Sequence, residues 1–365
     1  MTQLSSQTWP SCDLACDHDL LPTSPTRRRV LGNAAAVGFA AMLGGGLTRS
    51  AVAQPKPHRI DVHHHVSPPT WLEAIRKAKL DNPPLNNWSP QKSLEDMDRA
   101  GVAASMLSPT TPQVTFLPRD MAAAIARESN EYSRKLASEF PGRFGVFAML
   151  PMPYVTESLK EIAYAFDVLK ADGVGMMTSY GDKWLGHPDF EPVFDELNRR
   201  KATVYTHPTS ANCCVNLVPG IPDTIVEFGA DTTRTIASLI LSGRSQRNRD
   251  LNFIFSHGGG VLTAIAERLQ IQVVSGPPYK GKFTRESVDA ELQRFYYDTA
   301  QISNAVTIEA LVKLIPLTQI VFGSDFPYRT SLEHVQGLSK IFGGDKLQAI
   351  DRENALRILP AWRNG

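Results

Sequence analysis

This sequence has almost no surplus of charge of either sign. Its 38 Lys and Arg residues face 37 Asp and Glu, a net of +1. Such a balance leaves no basic field for a nucleic-acid backbone and no polybasic run for an anionic lipid surface. A small neutral or singly charged ligand is the expectation instead. Cysteine is scarce as well. Of the four, Cys12 and Cys16 lie near the N-terminus, and Cys213 and Cys214 are adjacent, a spacing poorly suited to an ordinary bridge. No structural disulfide is therefore expected. No apolar run approaches the ~20 residues that span a bilayer. No Gly-x-Gly-x-x-Gly phosphate loop follows the first strand-like segment, which weakens the case for an open dinucleotide-binding sheet. There is no internal repeat. The 365 residues, 42% hydrophobic and 21% charged, read as one soluble globular domain behind a leader.

The leader comprises residues 1–53. Arg27 and Arg28 precede Val30 and Leu31, an Ala/Gly-rich apolar stretch runs from Ala34 to Leu47, and Ala51-Val52-Ala53 offers small residues for cleavage. A charged region, a short apolar region and a small-residue site in that order form a secretory signal. The paired arginines resemble a twin-arginine export signal. The expected product is a single domain of residues 54–365, periplasmic or secreted and without stable membrane insertion.

From Gln54 onward, strand-like runs alternate with helix-length amphipathic ones, the pattern of a parallel sheet covered by helices. Strands are expected at 60–66, 102–107, 144–150, 173–177, 203–207, 251–256, 295–298 and 319–322. Between them, helices are expected at 69–79, from Ser89-Pro90, at 118–140, at 156–170 with Thr156 as cap, at 190–200, 223–242, 260–274 and 307–314, with 331–342 and 351–359 closing the chain. Ile225, Phe228, Ile236, Leu239 and Ile240 are expected on one buried face of the 223–242 helix. Segments 178–189 and 275–294 read as loops. Eight strands point to a (β/α)8 TIM-type barrel.

Several of these strands end in residues that can hold a metal. In Ile60-Asp61-Val62-His63-His64-His65-Val66, alternation places Asp61, His63 and His65 on one face and Ile60, Val62, His64 and Val66 on the other. A His-x-His pair on one rigid strand can grip one divalent ion. His207, His257 and Asp325 end three later strands. A closed barrel gathers all carboxyl ends on one rim, where barrel enzymes place their chemistry. His64, His58, His187 and His334 are expected to be structural or surface histidines.

Taken in order, the motifs IDVHHHV, YTHPT (205–209), FSHGGG (255–260) and FGSDFPY (322–328) resemble the amidohydrolase superfamily, in its aminocarboxymuconate-semialdehyde decarboxylase branch. The stretches 181–209 and 231–239 further resemble the 6-methylsalicylate decarboxylases of that branch. The resemblance implies one divalent metal on His63, His65, His207 and Asp325, with zinc expected ahead of manganese. It places His257 against the metal-bound water or the substrate rather than among the strong ligands. The lysine that holds a second metal in two-metal relatives is replaced by Met176, Met177 and Thr178, which implies a mononuclear site. The resemblance also implies a homodimer, in which Arg268 would reach the neighbouring subunit's site and hold a substrate carboxylate. A second substrate arginine of the muconate enzyme, expected near Ser93, is missing, which suits a monocarboxylate. Arg234 is a further substrate-binding candidate. Met176, Tyr180, Trp184, Phe326 and Tyr328 could hold a flat ring.

Two reactions suit this site. In a hydrolase, the ion lowers the pKa of bound water and aims it at the carbonyl of a lactone or amide, with Asp325 or His257 as proton shuttle. In a non-oxidative decarboxylase, the ring carbon bearing the carboxylate is protonated before carbon dioxide leaves. An ortho-hydroxyl on the ion pushes density onto that carbon. Both use the same ligands, so spacing does not choose between them, and Asp325 and an ion-bound water activated by His257 stay open as proton sources. The resemblance points to decarboxylation of a small ortho-hydroxybenzoate such as 6-methylsalicylate.

Overall fold

The computed structural model describes residues 57–363; the expected leader and its cleavage site lie outside the described residues. Eight strands succeed one another around one parallel sheet: β1 (Arg59–His65), β2 (Val102–Ser108), β3 (Phe144–Met149), β4 (Gly173–Met177), β5 (Thr203–His207), β6 (Asn252–Phe255), β7 (Tyr296–Asp298) and β8 (Ile320–Val321). Parallel neighbours need a crossover between them, and helices supply it. Hydrogen bonds bring the two edges together: Val62 N donates to Phe322 O at 3.0 Å, Asp325 N to His63 O at 2.8 Å and His65 N to Phe326 O at 2.8 Å. The barrel expected from the strand count is therefore present and nearly closed.

Its interior is a compact apolar cluster that includes Ile60, Val62, Ala104, Met106, Phe147, Tyr205, Ile254 and Val321. The β4 strand contributes no bulk there. A Cβ on Gly173 would lie 2.5 Å from Thr203 O and 3.0 Å from the Phe147 ring, so only glycine lets the flanking strands approach. Phe147 and Tyr205 stack across it, 5.7 Å apart at 15°. Each such ring contributes roughly 1.5–3 kcal/mol by leaving water. Ala355, Ile358 and Leu359 from the C-terminal segment join the same cluster, and Thr203 Oγ1 donates to Ile358 O at 2.7 Å.

The expected elements are found with small changes at their ends, and four local readings are corrected. The 178–189 segment, where a loop is expected, carries a small antiparallel pair, Ser179–Tyr180 with Lys183–Trp184. Ser89 caps the helix Pro90–Ala100 as expected, accepting from Lys92 N, with Gly101 as the left-handed stop. Thr156 is not a cap: the helix Val155–Asp167 starts one residue earlier, behind Tyr154, and lacks a side-chain cap. The helix starts where Tyr154 leaves the extended conformation, so Thr156 falls inside the first turn. The 275–294 segment contains the helix Arg285–Arg294, begun by a Thr284/Ser287 capping box. Only Val288, Glu291 and Leu292 of this helix are buried, so its apolar stripe is too narrow to read. Cys213 and Cys214 are joined as a disulfide inside the short turn Asn212–Cys214, contrary to expectation. Because it links chain neighbours, it fastens no two elements together. No helix among the described residues is long and apolar enough to cross a membrane.

Candidate active site

Strict alternation fails on β1, and the failure builds the site. The pairing of β1 with β2 shifts register between Asp61 and His64, a local irregularity of the bulge kind that re-aims side chains. His63 and His65 still share one side, but Asp61 does not join them. It turns to His64, whose Nδ1 lies 3.1 Å from Asp61 Oδ2. His64 Nε2 meets Ser93 Oγ at 2.9 Å, and its ring stacks on Phe326 at 4.9 Å. Asp61 also accepts from Ser324 N at 3.0 Å, which locks the turn carrying Asp325. The placement of Asp61 beside His63 and His65 is thereby corrected, whereas His64 is structural as expected.

His63, His65, His207 and Asp325 are buried, with one ligand atom from each lying within 4.8 Å of the others. Each imidazole is held from behind. His63 Nδ1 lies 2.8 Å from Asp298 Oδ2, His65 Nδ1 3.2 Å from Ser108 O and His207 Nδ1 2.9 Å from Pro208 O. Carbonyl oxygens only accept, so Nδ1 of His65 and His207 carries the proton and Nε2 turns its lone pair inward. Asp298 does the same for His63. Asp325 Oδ1 lies 3.0 Å from His65 Nε2 and 3.2 Å from His63 Nε2, and those two nitrogens are 3.2 Å apart. Lone pairs and a carboxylate aimed at one point suit a divalent cation, and outer partners of this kind are what orient metal-binding histidines.

The electrostatics agree. Burial lowers the basicity of His63, but Asp298 and Asp325 outweigh it and raise its pKa to about 10. Burial, then the His65 and His63 imidazoles, push His207 well below its ordinary value. Burial likewise lowers His65. Burial would raise Asp325, yet the His63 charge and the His257, His63 and His65 imidazoles around it hold it well below the usual carboxylate range. Two buried carboxylates thus demand a positive charge at the centre, which a proton on His63 or a metal can supply. These four residues form a single divalent metal site. Among the described residues no second such cluster occurs, and Thr178 Oγ1, at the β4 end, is spent on Asp231 Oδ2 at 2.5 Å.

Two further residues, His257 (φ 53°) and Gln301 (φ 59°), surround the centre, and like Asp325 (φ 63°) they have backbones in the left-handed region. Side-chain-bearing residues avoid this region, and each such placement costs on the order of 1–3 kcal/mol, with a tendency to cluster at functional sites. His257 Nε2 is buried without a hydrogen bond, 3.5 Å from Asp325 Oδ2. Asp298 accepts from His257 N at 2.9 Å and from Ala300 N at 3.0 Å, so one carboxylate braces both His63 and His257. Sequence reasoning missed Asp298 and Gln301. Asp298 ends its strand as the recognised ligands end theirs, a signal that could have found it; no comparable signal marks Gln301.

A cavity of about 530 Å³ opens onto His207, His257 and Asp325. Apolar Ile225, Phe228, Val261 and Ile302 and polar Asn82, Thr110, Thr111, Gln301 and Tyr328 are among the residues that line it. Burial pushes the Tyr328 phenol up to about 12, so it remains a hydroxyl, accepting from Asn82 Nδ2 at 3.1 Å. Ile225, expected in the core, is 69% exposed and lines this cavity. The other ring-holding candidates lie elsewhere. Met176 is fully buried in the large core cluster. Tyr180 is buried there too and accepts from Met177 N, Trp184 Nε1 donates to Asp231, and Phe326 packs on His64. Arg234 pairs with Glu227 at 3.0 Å. Arg268 is exposed on the helix Leu262–Ser275 and lines no part of the cavity.

The family profile described as Amidohydrolase matches residues 60–361. Decarboxylase yanB of Aspergillus niger is 35% identical over 330 residues, covering 84% of this chain and 88% of that protein. The 6-methylsalicylic acid decarboxylase of Penicillium expansum is 36% identical over 277 residues, covering 74% of this chain and 85% of that protein. Among solved structures, a dihydroxybenzoic acid decarboxylase from Polaromonas sp. JS666, with bound manganese and the inhibitor 2-nitroresorcinol, has the same fold. It aligns with a TM-score of 0.72 at 18% identity, over 84% of this chain and 98% of that one.

Proposed function

This chain belongs to the amidohydrolase family, and from that premise we propose that it is a metal-dependent, non-oxidative decarboxylase of a small ortho-hydroxy aromatic acid resembling 6-methylsalicylate. The observation that carries the reading is the convergence of three inward-facing imidazole nitrogens and Asp325 on one point in a chain whose similar relatives are decarboxylases. The cavity suits such a substrate. Its apolar residues can meet the ring and an alkyl substituent, its polar residues can meet hydroxyl groups, and no lysine or arginine lines it. One carboxylate would be matched by the metal alone, whereas a second would face no cation.

A divalent ion on the four ligands supplies positive charge to the carboxylate and ortho-hydroxyl oxygens of the acid. The chain's own groups handle the proton. His257 Nε2, without a hydrogen bond and beside the cavity, and Asp325 Oδ2, 3.5 Å from it, form a pair that can hold a proton and pass it to the ring carbon bearing the carboxylate. That carbon then carries both hydrogen and carboxylate. Its bond to the carboxylate breaks, carbon dioxide leaves, and the electron pair left behind restores the aromatic ring. Zinc is the first expectation, because three imidazoles and a carboxylate suit it; the manganese of the Polaromonas decarboxylase makes manganese the second. Incubation of the metal-loaded protein with 6-methylsalicylate should release carbon dioxide and m-cresol. Turnover of a lactone or amide, with no activity on any ortho-hydroxybenzoate, would instead establish the hydrolase alternative.

The active form we propose is a homodimer. Val215, Leu217, Val218, Ile221, Ile225 and Val226 are all more than 40% exposed on one run of chain that ends at the cavity wall, and apolar surface so concentrated marks an interaction site. Sedimentation should give twice the chain mass at assay concentration, and a monomer mass there would remove the proposal.

A further inference from the structure

We propose that Gln301 is a positioning residue of the metal centre, whose amide N–H fixes the rotamer of Asp325 so that Oδ1 is committed to the ion and Oδ2 is held apart from it. The two oxygens of Asp325 have different surroundings. Oδ1 lies at the convergence point, 3.0 Å from His65 Nε2 and 3.2 Å from His63 Nε2. Oδ2 accepts from Gln301 Nε2 at 2.5 Å. An ionised carboxylate only accepts, so it is the NH2 end of the amide that faces it. The terminal torsion of an aspartate is broad and nearly twofold, so without a fixed donor the two oxygens could exchange places or both turn to the ion. His257 Nε2, 3.5 Å from Oδ2, makes no hydrogen bond. Gln301 is thus the side chain that distinguishes the two oxygens on the side away from the ligands.

The backbone around Gln301 fits this role. Gln301 has φ 59°, a conformation that favours glycine or asparagine, yet it is held there. Ala300 N donates to Asp298 Oδ1 at 3.0 Å and Ile302 N to Thr299 O at 3.2 Å, so the turn beyond β7 is tied down on both sides of Gln301. The β7 strand supplies no ligand, yet its end supports two of them: Asp298 braces His63 from behind and Gln301 braces Asp325.

The inference rests on the four-ligand centre and not on the identity of the substrate, so its test begins without substrate. The full chain, stripped by a chelator, is titrated with Mn2+ or Zn2+ as wild type, Gln301→Leu and Gln301→Gly. Outer partners of metal ligands commonly govern affinity by about 10–100-fold, and a loss of about tenfold or more is expected in both variants. At saturating metal, kcat should fall in both while KM stays within about twofold. Glycine is at ease at this φ, so Gln301→Gly removes the amide without disturbing the turn and decides the matter even if Gln301→Leu folds poorly. Wild-type metal affinity in Gln301→Gly overturns the proposal. So does an increase in KM alone, which would place Gln301 on the substrate. Inactivity on every ortho-hydroxybenzoate with the metal-affinity losses intact would count against the decarboxylase reading and leave this one standing.

Discussion

Asp325→Asn lowers kcat by about 10²–10⁴-fold at saturating metal, the span expected when a proton-transfer group is removed. The substitution keeps shape and removes charge. In the wild type, the His63 charge and the His257, His63 and His65 imidazoles hold the carboxylate ionised despite its burial. An asparagine amide can turn its oxygen toward the ion or toward Gln301, but not both: with the oxygen on the ion its NH2 group meets the Gln301 donor, and with the oxygen on Gln301 its NH2 group faces the cation. Some metal is retained through the three imidazoles, so the activity loss exceeds the metal loss. The measurement is kcat beside metal content on the same sample. A rate close to wild type with metal bound would remove Asp325 from proton handling and leave it a ligand only.

The second large effect falls on a residue that touches no metal. Titration of the wild-type apoprotein should take up one ion per chain and release about one proton, because His63, raised to about 10 by Asp298 and Asp325 against the lowering effect of burial, is protonated at neutral pH without metal. The sign follows from linkage: the proton is bound in the apo form and lost on binding, so apparent affinity rises with pH, by up to about tenfold per unit, until pH approaches that value. In Asp298→Asn one of the two charges that raise His63 is gone. Less proton is released, and the acceptor that orients His63 Nδ1 at 2.8 Å is weakened. Metal affinity should fall by about 10–100-fold. His257 should also be misplaced, since the same carboxylate accepts from its backbone N–H. Two equivalents of metal in the wild type would refute the mononuclear site, and unchanged affinity in Asp298→Asn would confine Asp298 to packing.

The strands were legible because parallel strands covered on both faces read as continuous apolar runs. The ligands were legible because His65, His207 and Asp325 close such runs or follow them directly. Less legible were features that depend on how two strands meet. The register shift that turns Asp61 away from His63 and toward His64 leaves no trace in the alternation of residue types. The Arg285–Arg294 helix was hidden because its apolar stripe is narrow. Aromatic residues were a poor guide to the cavity: Tyr180 and Trp184 sit near it in sequence but spend their polar atoms on Met177 N and Asp231. Ile225 has core spacing and yet faces the cavity, because it lies in the first turn of its helix, where the stripe runs beyond the barrel wall.

By itself the sequence determined the order of strands and helices, the choice of imidazole and carboxylate as ligands, and the family to which they belong. Each of these is carried by residues close together in the chain or by motifs in fixed order. The tertiary structure alone decided which atoms meet. His65 and Asp325, 260 residues apart, touch only because β1 and β8 close the sheet. Asp298 reaches His63 across a gap of 235 residues. Closure depends on the twist and register of all eight strands at once, so the partners that hold each ligand from behind, the left-handed turns at His257, Gln301 and Asp325, and the walls of the cavity exist only once the whole barrel has formed.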